Sequence, residues 1–326
     1  MSNEDLRTLT PEAPHKKMYD HVYVIDPYMY LAPDMSKICL VKSEKTALID
    51  LSTSYTADKI VEGFKAIEQP IENVDYLFIT HNHYDHCGCI SQVVPQMPKV
   101  EVFGSDETRA TIKNPGYKYS STLFLYTRPC WDMAGSFKPL IGKDVNNVAP
   151  NDTFDLGDGV KIRVVDLPGH EVGNFGYFEE KTKTLFAGDS FGVYYGYYQP
   201  AAFKNCFSYF DFERSLERTL AMDFDHLFLS HGGYFNREKG KELLRMALKK
   251  AKNWKEVVEK LAIEEPSLEY ILPKVLKTDL MPWDTMKEFY PESLFRSGIH
   301  SIILAYTDSL GIEVPAELTE EGWVTP

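Results

Sequence analysis

The chain has 326 residues, with 35 basic and 48 acidic side chains and a formal net charge of −13. That balance argues against a polyanionic partner, because nucleic-acid binding rests on phosphate neutralisation. No run is long and apolar enough to span a membrane, yet 44% hydrophobic content is ample for a large core.

The first residues, 1–20, read as a polar lead with charges and proline but no apolar h-region of a secretory leader. Strand-like runs follow at His21–Ile25, Ile38–Val41 and Thr46–Leu51, with the aromatic loop Asp26-Pro27-Tyr28-Met29-Tyr30 between the first two. Thr56 to Phe64 has apolar residues at helical spacing, with Thr56 as cap. Val74–Ile79 is a short run of strand formers, Cys89–Val94 is helical and stopped by Pro95, and Val100–Phe103 is again a strand. Strands alternating with helices predict an α/β layered core. Residues 114–150 break the rhythm: Tyr117, Tyr119, Phe124, Tyr126, Trp131 and Phe137 make an aromatic insertion, read either as a binding loop or as a packed surface excursion.

Asp155–Val160 reads as a hairpin turn leading into Lys161–Val165, and Phe175–Phe178 with Thr184–Phe186 forms a second hairpin. Four tyrosines, Tyr194, Tyr195, Tyr197 and Tyr198, then crowd five residues. Tyr194 and Tyr195, with Trp131, are the candidates for walling a small-molecule pocket, although ordinary loop packing accounts for tyrosines equally well. From about residue 237 the pattern turns helical, over Lys239–Lys252, Trp254–Leu261, Met286–Phe289 and Leu294–Leu310, with Pro266, Pro273, Pro282 and Pro291 between segments. Residues 237–326 are therefore expected to be a helical appendage to a domain at 21–236. It would act as a lid or a homodimer surface and be removable without loss of the site. The cysteines Cys39, Cys87, Cys89, Cys130 and Cys206 are odd in number and form no CxxC pair, which fits free thiols in a reducing cytoplasm. Cys87 and Cys89 read as small packing residues.

The chemistry concentrates in Thr80-His81-Asn82-His83-Tyr84-Asp85-His86-Cys87-Gly88, directly after the Val74–Ile79 strand. Three of the chain's nine histidines and a carboxylate fall within six residues at a strand end, a usual place for a site in a layered α/β fold. Imidazole and carboxylate are the ligands that suit a borderline divalent cation such as zinc. A solvated polar loop is the alternative, and so tight a cluster argues against it.

The spacing His-x-His-x-Asp-His resembles the metallo-β-lactamase superfamily. The resemblance runs from about residue 20 to 235 and implies an αββα sandwich. It also implies further ligands in chain order, supplied by Leu167-Pro168-Gly169-His170, Leu185-Phe186-Ala187-Gly188-Asp189 and Leu227-Phe228-Leu229-Ser230-His231-Gly232. Asp50 matches that family's structural aspartate behind the histidine turn. By the resemblance, His81, His83 and His170 hold one ion, Asp85, His86 and His231 a second, and Asp189 bridges two divalent metals, zinc or iron. A bridging hydroxide would then hydrolyse an ester, thioester, lactone or amide, with Asp85 orienting the nucleophile or carrying its proton. The rival reading is a di-iron oxygen-binding or oxygen-reducing protein, since the run around Asp189 is similar to that of flavodiiron proteins. Those have Glu where this chain has His83, and a second imidazole fits zinc hydrolases and oxygen-binding relatives alike. A metal-stabilised module without chemistry is the third reading.

Overall fold

The computed structural model describes residues 14–29, 32–116, 135–280, 292–319 and 322–324. Tyr30, Trp131, the helix expected at Met286–Phe289 and most aromatics of the 114–150 insertion lie outside the described residues.

Two sheets face each other. The first holds β1 (His15–Tyr19), β2 (Val22–Ile25), β3 (Ile38–Lys42), β4 (Thr46–Ile49), β5 (Val74–Phe78), β6 (Glu101–Gly104) and β7 (Val145–Asn147), in that spatial order. Its first four strands pair antiparallel and the rest parallel. The second runs β15-β14-β11-β10-β9-β8, from β8 (Thr153–Gly157), β9 (Val160–Asp166), β10 (Phe175–Glu179), β11 (Thr184–Phe186), β14 (His226–Leu229) and β15 (Gly233–Asn236). A small ribbon, β12 (Val193–Tyr194) with β13 (Tyr198–Gln199), lies in the chain between β11 and β14.

Alternation along the strands decides the layers. Cys39, Val41, Ala47, Ile49, Tyr76 and Phe78 meet Ile162, Val164, Tyr177, Phe186 and Phe228 of the opposite sheet. Their neighbours Leu40, Leu48 and Leu77 point the other way, onto α1 (Ala57–Ala66), α2 (Tyr84–Cys87) and α3 (Ile90–Val93). Strands covered on both faces read as continuous apolar runs, which is why these were legible in the sequence. α4 (Asp106–Lys113) joins that helical layer beside β6 and β7, the outer face of the second sheet carries the remaining helices, and the architecture is the αββα sandwich. Cys87 and Cys89 are fully buried in the first helical layer, as packing residues.

Three elements differ from expectation. β1 lies within the stretch read as a polar lead; it is a half-buried edge strand in which Lys17 faces solvent, and no apolar pattern marks it. The two helices expected at 239–261 are one, α6 (Arg237–Glu264), because nothing near Trp254 breaks the periodicity and that indole is fully buried. The short helix α7 (Leu268–Val275) forms despite Pro273, burying Leu268, Ile271, Leu272 and Val275 at helical spacing.

The C-terminal helices are not set apart from the sandwich. With α5 (Tyr209–Ala221) and α8 (Glu292–Ser309), they share a single apolar cluster with Leu185, Leu227, Leu229 and Phe235 of the second sheet. No helix among the described residues is long and apolar enough to cross a membrane.

Candidate metal centre

β4 is followed by Asp50, whose φ of +60° turns the chain sharply. The turn aims its carboxylate at the end of β5. There Asp50 accepts from the Thr80 backbone N–H at 2.7 Å, the Thr80 hydroxyl at 2.8 Å and His86 Nδ1 at 2.9 Å. The Ser230 hydroxyl adds a bond at 3.4 Å. One buried carboxylate thus ties the histidine turn to the ends of β4 and β14.

Asp189 follows β11 through Gly188, where φ is +56° and a Cβ would stand 2.6 Å from Thr80 Oγ1. Only glycine lets this turn approach the histidine turn so closely. His170 follows Gly169, at φ +133°, where a Cβ would lie 2.4 Å from the Phe212 backbone nitrogen. The Phe175 N–H donates to the Thr80 carbonyl at 2.9 Å, drawing the His170 loop in from the opposite sheet.

Seven side chains converge as a result. His81 Nε2, His83 Nδ1 and His170 Nε2 lie 3.0–3.1 Å from one another. Beside them Asp85 Oδ2 is 3.0 Å from His231 Nε2 and 3.9 Å from His86 Nε2. Asp189 Oδ2 sits between the two sets, 3.5 Å from both His86 Nε2 and His231 Nε2 and 3.9 Å from His170 Nε2.

The outer ring nitrogens explain what the inner ones are prepared for. His170 Nδ1 donates to the Ala201 carbonyl at 2.7 Å, and His231 Nδ1 to the Met35 carbonyl at 2.8 Å. His83 Nε2 faces Glu171 Oε2 at 3.1 Å, and His81 Nδ1 faces the Thr80 hydroxyl at 3.0 Å, whose own proton goes to Asp50. With the ring protons outside, three nitrogen lone pairs point at one another from the inside, and a cation at their centre relieves the repulsion. Asp189 Oδ1 and His86 Nε2 are buried and make no hydrogen bond among the described residues. Each such orphan costs about 1–3 kcal/mol, and a second cation would satisfy both. The donor set, five imidazoles with two carboxylates, fits borderline divalent metals.

Electrostatics divides the cluster. Burial pushes His81 and His170 down, His170 to about 4, and their imidazole neighbours push the same way. Burial works against protonated His86 and His231 too, but Asp189 and Asp85 outweigh it, holding His231 up at about 9. Burial would raise Asp189, yet His231 and His86 bring it down to about 2. A pH dependence follows for the ion-free protein. An unfolded histidine titrates at about 6.5, so below that pH the unfolded chain takes up protons that His81 and His170 refuse, and stability falls as pH drops toward 4. Above it the fold still holds a proton on His231 that the unfolded chain has lost, so stability falls as pH rises toward 9. Urea midpoints of chelator-treated protein should therefore peak near pH 6.5. Metal loading should remove the upper fall, because the cation replaces the proton; a flat profile above pH 6.5 without metal contradicts this assignment.

Tyr194 lies in the core against Phe235, and the Tyr195 hydroxyl stands behind His231, donating to the Met35 carbonyl at 2.7 Å and lying 3.0 Å from His231 Nδ1. The Tyr195 hydroxyl is thus engaged at the outer nitrogen of His231 rather than among the converging nitrogens. The aromatic against the imidazoles is Phe203, whose ring is 5.7 Å from that of His83 and 5.8 Å from that of His170. Phe203, Glu171 and the carbonyls of Ala201 and Met35 were missed in the sequence. Glu171 was findable by its place next to His170; backbone carbonyls carry no residue signature.

The pattern that describes the metallo-beta-lactamase superfamily matches residues 33–232, which include all seven side chains. The chain is 24% identical over 221 residues to the metallo-beta-lactamase fold-containing protein ST1585 of Sulfurisphaera tokodaii, covering 67% of this chain and 80% of that one. It is 25% identical over 218 residues to the flavo-diiron protein FprA2 of Clostridium acetobutylicum, covering 61% of this chain but 49% of that one. An anaerobic nitric oxide reductase flavorubredoxin of Pectobacterium atrosepticum is 24% identical over 157 residues, 48% of this chain and 26% of that protein. The chain thus spans half or less of these flavoprotein relatives' length. Among solved structures, the archaeal metallo-beta-lactamase superfamily protein ST1585 superposes with a TM-score of 0.59 at 20% identity, covering 85% of this chain and 94% of that one. The subclass B3 metallo-beta-lactamase MEM-A1 gives 0.55 at 15%, covering 82% and 98%. At these identities the structural likeness speaks for the fold alone.

Proposed function

Because the chain belongs to the metallo-beta-lactamase superfamily, we propose that it is a hydrolase working with a pair of divalent cations. His81, His83 and His170 hold one, Asp85, His86 and His231 the other, and Asp189 lies between them. The observation that carries this reading is Asp189 Oδ2, a single carboxylate oxygen within 3.5–3.9 Å of inner nitrogens from both sets. Bound there, such cations supply water of lowered pKa and a Lewis acid for a carbonyl oxygen. The substrate class is an ester, thioester, lactone or amide of a small molecule.

The protein's own groups set up the attack. Burial would raise the Asp85 carboxyl, but His86 and His231 hold it well below the usual carboxylate range. It therefore stays ionised and accepts a hydrogen bond from the attacking water rather than donating one. Glu171 holds the His83 ring through its outer nitrogen, as the Ala201 carbonyl holds His170. Phe203 walls the His83 and His170 side with apolar surface, which excludes water and suits an acyl group.

The flavo-diiron and flavorubredoxin relatives favour a second reading, a di-iron oxygen-binding or oxygen-reducing protein. One experiment separates the two. Zinc-loaded protein should turn over a panel of activated esters, thioesters and lactones, with rate rising through a pKa of about 7. The second reading requires iron on purification, since zinc has no redox chemistry, and an absorption change when reduced protein meets oxygen. Iron with reversible oxygen spectra, and no turnover across the panel in the zinc form, overturns the hydrolase.

A further inference from the structure

We propose that His83, Glu171 and Cys206 form a third metal site, with a thiolate ligand, on the outer side of the imidazole that faces the paired centre. Each of the three offers a ligand atom within 4.8 Å of the other two. His83 turns Nδ1 inward, toward His81 and His170, and so presents Nε2 outward, where Glu171 Oε2 lies 3.1 Å away. Ligand atoms on a tetrahedral zinc with ordinary Zn–N and Zn–S lengths stand about 3.3–3.7 Å apart, so closure asks for an adjustment of about an ångström.

The three residues are held from independent directions. Glu171 is buried and follows His170 directly, so the ligand loop fixes its backbone. Cys206 sits in the loop that also supplies the Ala201 carbonyl to His170 and the Phe203 ring to both imidazoles. That loop is tied to α8: the Lys204 N–H donates to Ser301 Oγ at 3.3 Å, and Ser309 Oγ donates to the Phe207 carbonyl at 3.1 Å. The thiol is thereby carried to the rim by a braced segment.

Imidazole, carboxylate and thiolate together select a borderline or soft cation, zinc before magnesium or calcium. Binding expels two protons to solvent, one from the Cys206 thiol and one from His83 Nε2, while Glu171 exchanges its hydrogen bond to His83 for the ion. Water completes the coordination. Because His83 must give up its one remaining ring proton and two cations then share one ring, this ion binds more weakly than the inner pair. It fills last.

The inference rests on the reading that the inner nitrogens hold ions, and a cobalt(II) titration of the chelator-stripped full chain under anaerobic conditions keeps the two apart. Beyond two equivalents, a third should bring in a near-ultraviolet thiolate-to-cobalt charge-transfer band and release about two protons. Cys206→Ser should lose the band and the third equivalent while keeping the first two. A band that depends on Cys206 supports the site even when fewer than two other ions bind, a result that would instead sink the paired centre. Absence of the band, or its survival in Cys206→Ser, overturns the site and leaves the paired centre standing. Should that variant misfold, X-ray absorption of the wild-type protein with three zinc equivalents decides: a sulfur neighbour at about 2.3 Å supports the site, and nitrogen and oxygen neighbours alone overturn it.

Discussion

Asp189→Ala should remain folded, keep at most one ion in the paired centre and lose measurable hydrolysis. The Asp189 carboxylate lies among His86, His231 and His170, and it is the leading attraction that keeps the first two charged. Without it the three imidazoles facing it have lost their central counter-charge, and two divalent cations side by side would repel with nothing between them. Replacing a group that merely orients a ligand lowers metal affinity about 10–100-fold, and removal of a shared ligand exceeds that. The fold should persist because its apolar clusters lie beneath the site rather than in it. Elemental analysis of the dialysed variant reads the count directly. An unchanged count with retained turnover refutes the central role of Asp189, and Asp189→Asn, which keeps the shape without the charge, should resemble the alanine variant in metal content.

Ending the chain at residue 236 should give an aggregating product rather than a smaller working enzyme. Leu185, Leu227, Leu229 and Phe235 of the second sheet are covered by Leu243, Leu244, Ala247, Trp254, Ile271, Ile303 and Tyr306. Truncation would open that whole face, far more than a monomer tolerates. The single change Trp254→Ala samples the same surface: an indole with no exposure stacks near Tyr306, and its removal should cost about 3–5 kcal/mol, a large share of a typical fold's 5–15 kcal/mol. The loss reaches the site as well, because α8 braces the loop whose Ala201 carbonyl holds His170. Denaturant midpoints and metal content of both proteins check this. A soluble, monodisperse 1–236 fragment carrying two ions would bear out instead the removable appendage expected from the sequence.

The seven converging side chains and their strand-end positions were legible in the sequence because each depends on something local. An apolar run is followed by a glycine-bearing turn and a histidine or aspartate, and the runs are unbroken because both faces of the strands are covered. The sandwich order follows from the same runs. Which way each side chain points was not legible. That Tyr194 enters the core while Tyr195 backs His231, and that His83 turns Nδ1 inward and Nε2 toward Glu171, depends on partners from 36 to 88 residues away. Met35 and Ala201 act through carbonyls that any residue possesses. The helical tail carried no mark of where its apolar stripe would land, since amphipathic periodicity gives a helix a buried face but not the surface that buries it. Only the packed chain decides that the stripe closes over the second sheet and that its last helix braces the loop beside His83 and His170.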